Sequence, residues 1–459
     1  MKLQKLTITV AACLLTAGIG RSQFVEDSVL APGNCVASLV YNPLADVIYG
    51  TSSLAAGHLF AIDVQSNQVV AQIGLYVPYS VVYDSIDNKA YCTFGRSGDE
   101  SLLVVNGSTH TRVKAVSMPG ATTPVWDSVS NRLYVSCQTT NKVAVVDCAT
   151  DSLLKYIPVG GCPIKMHINT LRRKLYVQNL DAGTVSVIDM ATNNVIRTVP
   201  VGGNPNAGYY CRSVDKYYCS APASHVTAVD GRTDSVVGRI PIGQGSQAHS
   251  LAGNEQVPVV MAGVSQMNSD YVYALDPRAD TVLSMVEVGG EVWSMLYSAE
   301  TDRLYAAAAG AAGSVQVLSG DGAQLLKSLS VGSGPYVLTA ASHRRIYVGH
   351  LNVSRVFVVR DTVTGFVCEA PDPPQPGDGL IALPNPFCDD VAIDGQAASR
   401  VRVYSLAGKL VRTLARSPGQ RFARSIRWDG KDLAGRPVPA GIYFVQAGDG
   451  HRTKLVKAR

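Results

Sequence analysis

The chain has 459 residues, 46% of them hydrophobic and 16% charged, which is enough apolar material for a folded core and too much for a disordered chain. Forty Lys and Arg stand against 35 Asp and Glu, but the excess is unevenly placed: residues 23–379 hold 23 basic and 29 acidic groups, and residues 380–459 hold 14 and 6. A mildly acidic body thus precedes a basic tail, and neither carries the Lys/Arg stripe that a nucleic-acid surface requires.

The chain opens Met1-Lys-Leu-Gln-Lys5, continues with an apolar run from Leu6 to Ile19, and reaches small residues at Gly18, Gly20 and Ser22. These are the parts of a secretory signal peptide over residues 1–22, with cleavage expected after Ser22 or Gly20. The run is too short to cross about 30 Å of hydrocarbon as a helix, and no later stretch is long enough, so no transmembrane segment is expected. Ten cysteines suit the oxidising compartment that export implies. Cys211 and Cys219 flank the turn Ser213-Val-Asp-Lys216 of an expected hairpin. They read either as a disulfide across two strands or as two small buried hydrophobes.

A Tyr, in most copies preceded by an apolar residue, recurs as Tyr49, Tyr91, Tyr134, Tyr176, Tyr218, Tyr305 and Tyr347, at spacings of 42, 43, 42, 42, 87 and 42. The long gap holds a degenerate copy near Val257-Pro-Val-Val260, which makes eight units. Most units share one grammar: a polar turn, the Tyr strand, a β-branched strand ending in Asp such as Val143-Ala-Val-Val-Asp147, a fourth strand, and a Gly-rich crossing such as Val199-Pro-Val-Gly-Gly203. Four short strands per unit of about 42 residues is the arithmetic of a β-propeller blade. One unit cannot bury both of its faces, so the units must stack, and a ring removes the exposed ends. The segment Phe24–Leu30 has the character of a fourth strand although it precedes the first Tyr strand. It is expected to complete the last blade beside Val356-Phe-Val-Val359, in competition with Phe366-Val-Cys-Glu369.

These elements, with Tyr176-Val-Gln-Asn179 closest to the name motif, make residues 23–369 resemble the secreted propellers of the YVTN repeat family. That family is often described with seven blades, whereas eight units are counted in this chain. After Glu369 comes the Pro/Gly-rich stretch at 370–381, expected to be a semi-rigid linker. Residues 382–459 contain six strand-like runs without a helical period, expected to form a small Ig-like β-sandwich. Pro384-Asn-Pro-Phe387, Val403-Tyr-Ser-Leu-Ala-Gly408-Lys-Leu-Val-Arg412, Trp428-Asp-Gly-Lys-Asp-Leu-Ala-Gly435, Gly441-Ile-Tyr-Phe444 and Lys454-Leu-Val456 resemble the C-terminal sorting domains of type IX secretion and the related Ig-like domain of flagellar hook-capping proteins. The resemblance implies outer-membrane secretion machinery as a partner, passage through the periplasm of a Gram-negative bacterium, and a cell-surface or extracellular destination. An ordinary Ig-like module without a sorting role is the plainer reading.

The sequence offers no Gly-x-Ser-x-Gly elbow, no His-Glu-x-x-His and no phosphate-binding glycine loop. The recurring Asp63, Asp147, Asp189, Asp230 and Asp276 sit at turns, where an Asp carboxylate bonds the backbone just ahead, so they are expected to be structural. No metal or cofactor is expected. Counting back from each Tyr places Tyr79, Lys165, His167, Asn206, His249, Trp293 and Tyr336 on or beside the first strand of their units. They are either a ligand site at the channel mouth or scattered packed residues, because one residue of register turns a side chain to the other face. The expected function is therefore an exported binding protein for a protein, polysaccharide or small-molecule ligand. The alternative is a secreted propeller enzyme of lactone-opening or redox type. A quinone enzyme would need a docking Trp in every blade, and only Trp126 and Trp293 lie in the ring; the Cys-x-x-Cys-His of a heme enzyme is absent.

Overall fold

The computed structural model describes residues 23–362 apart from 53–55, 96–98, 222–223, 267–268 and 311. Beyond them it describes 381–383, 391–394, 400–405, 410–415, 425–439, 441–447 and 452–457. The signal-peptide segment, the Phe366–Glu369 run, the linker before Ile381 and the Pro384–Phe387 motif lie outside the described residues. The chain divides into two compact units, 1–366 and 367–459.

Between residues 23 and 361 the described residues form eight four-stranded antiparallel sheets. Seven run in simple chain order over 38–75, 78–117, 121–158, 163–200, 208–241, 247–287 and 291–330. The eighth takes three strands from 335–361 and its outermost strand from Gln23–Leu30. The first strands of neighbouring blades touch around the whole circle, and Pro335–Ala340 meets Ser38–Asn42, so the ring is closed and the first strands surround its axis. Closure is the one the sequence predicts: Val25 pairs with Val359 and Val29 with Val356. A bulge between Val25 and Asp27 leaves Glu26 unpaired in the ladder. Its carboxylate bonds Arg345 at 2.7 and 2.8 Å and Arg360 at 2.9 Å, an ionic clasp where strand Gln23–Leu30 completes the last blade.

The sheets are buried on both faces, and the apolar clusters lie between blades. One cluster joins Tyr49 and Leu59 of the first blade to Val81 and Cys92 of the second; another joins Tyr134 and Val145 of the third to Met166 and Leu175 of the fourth. The recurring Asp residues act as expected. Asp63 accepts the Ser66 backbone N–H at 2.7 Å, Asp147 that of Thr150 at 2.9 Å, Asp189 that of Thr192 at 2.8 Å, Asp230 that of Thr233 at 2.7 Å and Asp276 that of Arg278 at 2.8 Å. In the degenerate sixth unit, Met261 occupies the register position that Tyr holds elsewhere, paired with Ala274 as Tyr49 is with Ala61.

The expected Cys211–Cys219 disulfide is corrected. Both are free buried thiols. Cys211 pairs in the ladder with Lys216 and Cys219 with Gly208. Cys211 packs toward the sixth blade with Ala248 and Val260, whereas Cys219 packs toward the fourth with Tyr176 and Val185, so the two thiols lie on opposite faces of one sheet. Burial pushes the Cys219 thiol up to about 12.

Among its described residues the C-terminal unit holds a three-stranded sheet, Ile381–Leu383, Val391–Asp394 and Ser425–Trp428, and a four-stranded sheet ordered Leu410–Ala415, Arg400–Ser405, Gly441–Ala447 and Arg452–Lys457. One core unites them, with Ile393, Ile426 and Trp428 from the first sheet and Val401, Val403, Tyr443, Val445 and Leu455 from the second. This is the expected small β-sandwich, with one more strand, Ile381–Leu383, than the six read from the sequence. Trp428 meets Tyr443 edge to face at 5.3 Å, and each satisfies its polar end on a backbone carbonyl, of Lys431 at 2.9 Å and of Pro439 at 2.7 Å, as large amphipathic rings in a small core must.

Candidate functional site

The first strand of most blades carries a β-bulge near its start. The register skips between Pro78 and Ser80, Ala121 and Pro124, Pro163 and Met166, Ala248 and Ser250, Val292 and Ser294, and Pro335 and Val337. A bulged residue escapes the two-residue alternation and is re-aimed relative to its neighbours. Tyr79, Lys165, His249, Trp293 and Tyr336 all stand inside these skips, so five of the seven residues singled out by sequence share one structural position on the strands that surround the axis. Thr122 and Thr123, in the third blade's bulge, hold the same position and escaped the sequence reading because small hydroxyl residues give no chemical signal. His167 lies beyond the bulge, in the regular ladder opposite Tyr176. Asn206 lies just before the fifth blade's first strand, where its amide oxygen accepts from Ser220 at 2.8 Å.

The preceding blade holds several of these bulges by hydrogen bonds to their carbonyls. Thr51 donates to Tyr79 O at 3.3 Å, Ser136 to Ile164 O at 2.9 Å and Ser250 to Val292 O at 2.7 Å. The donors Thr51 and Ser136 each lie two residues after a repeat Tyr, so the repeat that welds the blades also positions the bulges.

Four of the seven residues converge. The His249 ring lies 4.9 Å from that of Trp293, and Trp293 lies 5.8 Å from Tyr336, both pairs tilted; the three form a continuous aromatic shelf across blades six, seven and eight. His249 Nε2 meets the Glu291 carboxylate at 3.0 Å, while its buried Nδ1 has no partner. Lys165 is exposed to water, and the protein around it lowers its pKa. Burial holds His249 toward its neutral form; Glu291 opposes this and the Lys165 charge adds to it, so the lysine lies within electrostatic reach. His167 is pushed down to about 3, first by burial and then by Lys165. Burial also raises the phenols of Tyr336 and Tyr79, the latter with help from Glu100.

His167 packs 5.6 Å from Tyr217, and its Nε2 and the Tyr217 hydroxyl are both buried without a partner. Tyr79 and Asn206 are not brought into contact with the shelf. Among the described residues, no group of three His, Cys, Asp or Glu is arranged to hold a metal ion.

No family model matches the chain, and no curated protein matches it. Among solved structures it is similar to the crystal structure of the computationally designed Ika8 protein, with a TM-score of 0.58 and 15% identity over 72% of this chain and 98% of that one. At that identity the likeness bears on the fold alone: the chain is all-β, with a propeller ring followed by a small sandwich.

Proposed function

We propose that the protein is an exported binding protein of the YVTN-repeat type. Its ring takes a ligand at the channel mouth, and its C-terminal sandwich is the sorting module read by the outer-membrane secretion machinery. The observation that carries the binding reading is the convergence of Lys165, His249, Trp293 and Tyr336. A shelf of tilted aromatic rings beside a cation and the Glu291 carboxylate is the mix of broad apolar contact and few directed polar groups that small-ligand sites use. Support for export comes from the signal-like residues 1–22 and the motif order of the tail.

The test is a thermal-shift screen of the full chain against sugars, oligosaccharides and fractions of the host's culture medium, run beside a His249→Ala/Trp293→Ala variant. At least one fraction should raise the ring's unfolding temperature in the parent and leave the variant unmoved. If every stabilising fraction acts equally on both proteins, the shelf is not the site.

A further inference from the structure

We infer that the channel site selects an acidic sugar, a pyranose ring bearing a carboxylate, with Lys165 as the anchor for the acid group. The inference rests on the binding reading above and names its ligand class. Three features of the site define it. First, Lys165 forms no ion pair with any carboxylate among the described residues, and its electrostatic neighbours, His167 and His249, are groups that repel it when charged. A lysine without a counter-ion leaves a charge for an incoming anion to meet, and a charge-assisted bond is stronger than a neutral one.

Second, Trp293 and Tyr336 give a two-ring platform at 5.8 Å with an interplanar angle of 46°. The electron-rich face of an aromatic ring attracts the slightly positive C–H groups that a pyranose presents on its flat side. Third, Glu291 holds its carboxylate beside the shelf, 3.0 Å from His249 Nε2, where it can accept from a sugar hydroxyl. A purely aromatic acid would satisfy the cation and the shelf and bring no hydroxyl to donate to that carboxylate.

Titration calorimetry on the full chain tests this with D-glucuronate, D-galacturonate and a short oligogalacturonate, against D-glucose, D-galactose and benzoate. At least one uronate should saturate the protein, with neutral sugars and benzoate about tenfold weaker or more, equal to about 1.4 kcal/mol. Tighter binding of the oligomer than of the monomers would assign the ligand to a polysaccharide chain, and the reverse to a free sugar acid. Lys165→Met should bring the uronate down to the affinity of its neutral counterpart, and Lys165→Arg should retain the preference. Equal binding of acid and neutral sugar, an unchanged Lys165→Met, or benzoate preferred to every uronate would overturn the inference. So would no sugar binding at all. If the thermal-shift screen still found a ligand dependent on His249 and Trp293, only the ligand class would fall; if that screen also failed, the site itself would.

Discussion

The hydroxyl of Tyr91 donates to the Asp151 carboxylate at 2.8 Å across the boundary between the second and third blades. Asp151 sits in the left-handed region at the turn joining the last two strands of its blade, and Lys89 reaches the same carboxylate at 3.0 Å. The device recurs: Tyr134 donates to Asn193 at 2.8 Å, Tyr218 to Asp280 at 2.9 Å, and Tyr347 to Asn67 at 2.9 Å across the closing seam. Every acceptor has a positive φ, which Asn and Asp tolerate better than other side-chained residues. The Tyr that marks the repeat is therefore an inter-blade tie, with its ring in the core and its hydroxyl on the next blade's turn.

Replacing Tyr91 with Phe keeps the ring and deletes the tie. Asp151 and the Cys148 carbonyl, 3.2 Å from the phenol, each lose a donor and retain Lys89. A cost of about 0.5–1.5 kcal/mol is expected for the lost hydrogen bond, read as a lower denaturant midpoint for the ring. An unchanged midpoint would mean that the tie is cosmetic.

The clasp at Glu26 predicts a pH dependence. Hydrogen bonds from Arg345 and Arg360 hold its carboxyl below the ordinary value of 4.5 against the opposing effect of burial. Glu26 thus stays ionised in the folded ring at pH values where the unfolded chain has begun to take up a proton. Its contribution is complete well above pH 4.5 and is lost as pH falls through the lower, folded-state value. Glu26→Gln should reduce stability at pH 7 by about 2 kcal/mol and give a shallower loss between pH 5 and pH 3 than the parent. Parallel acid limbs for the two proteins would exclude Glu26 as a source of that dependence.

Periodicity made the ring legible because its cause is chemical: a buried Tyr, a turn Asp and a Gly-rich crossing each do a job that few residues can do. Even the faulty sixth unit obeys this logic. Where Met261 replaces the Tyr, the facing turn of the next blade carries Gly322 at positive φ, and a Cβ on that glycine would come 3.0 Å from Met261. Tie and acceptor are lost together. The disulfide expectation failed on parity. Cys211 and Cys219 are close in sequence, but their ladder partners are Lys216 and Gly208, and the even alternation of the strands sends their side chains to opposite faces. The site was half legible for a related reason. Residue type pointed to Lys165, His249, Trp293 and Tyr336, but a bulge suspends the alternation from which side-chain direction is read. Their convergence therefore needed coordinates, and Glu291 entered only through its bond to His249.

The sorting role proposed for the tail can be tested apart from the ring by truncation. A chain ending at Glu369 keeps all eight described blades and the whole clasp, since the compact unit that contains them ends at Phe366. In the native host it should fold, retain the ring's unfolding transition and accumulate in the periplasm, while the full chain passes the outer membrane. Fractionation with immunoblotting reads both. Equal recovery of truncated and full-length protein outside the cell would leave the tail as a sandwich without an address function.

Gly208 offers a test of the packing between the fourth and fifth blades. A Cβ at that position would stand 2.3 Å from the Tyr217 hydroxyl and 2.8 Å from the His167 ring. Both side chains are hemmed in, with Tyr217 stacked on Tyr176 at 4.5 Å, so neither can swing away cheaply. Gly208→Ala should destabilise the ring by about 1–3 kcal/mol through overpacking. The Tyr217 hydroxyl is buried without a partner, so Tyr217→Phe alone sacrifices no hydrogen bond, preserves the stack and should be nearly neutral. It also removes the atom that the new methyl would meet first. The double variant should therefore be more stable than the sum of the single effects by about 1 kcal/mol, the favourable coupling expected of groups in direct contact. Urea denaturation of the four proteins closes the cycle. Strict additivity would show that the cost of Gly208→Ala arises from the backbone or from His167, and that the crowded hydroxyl is not what requires glycine there.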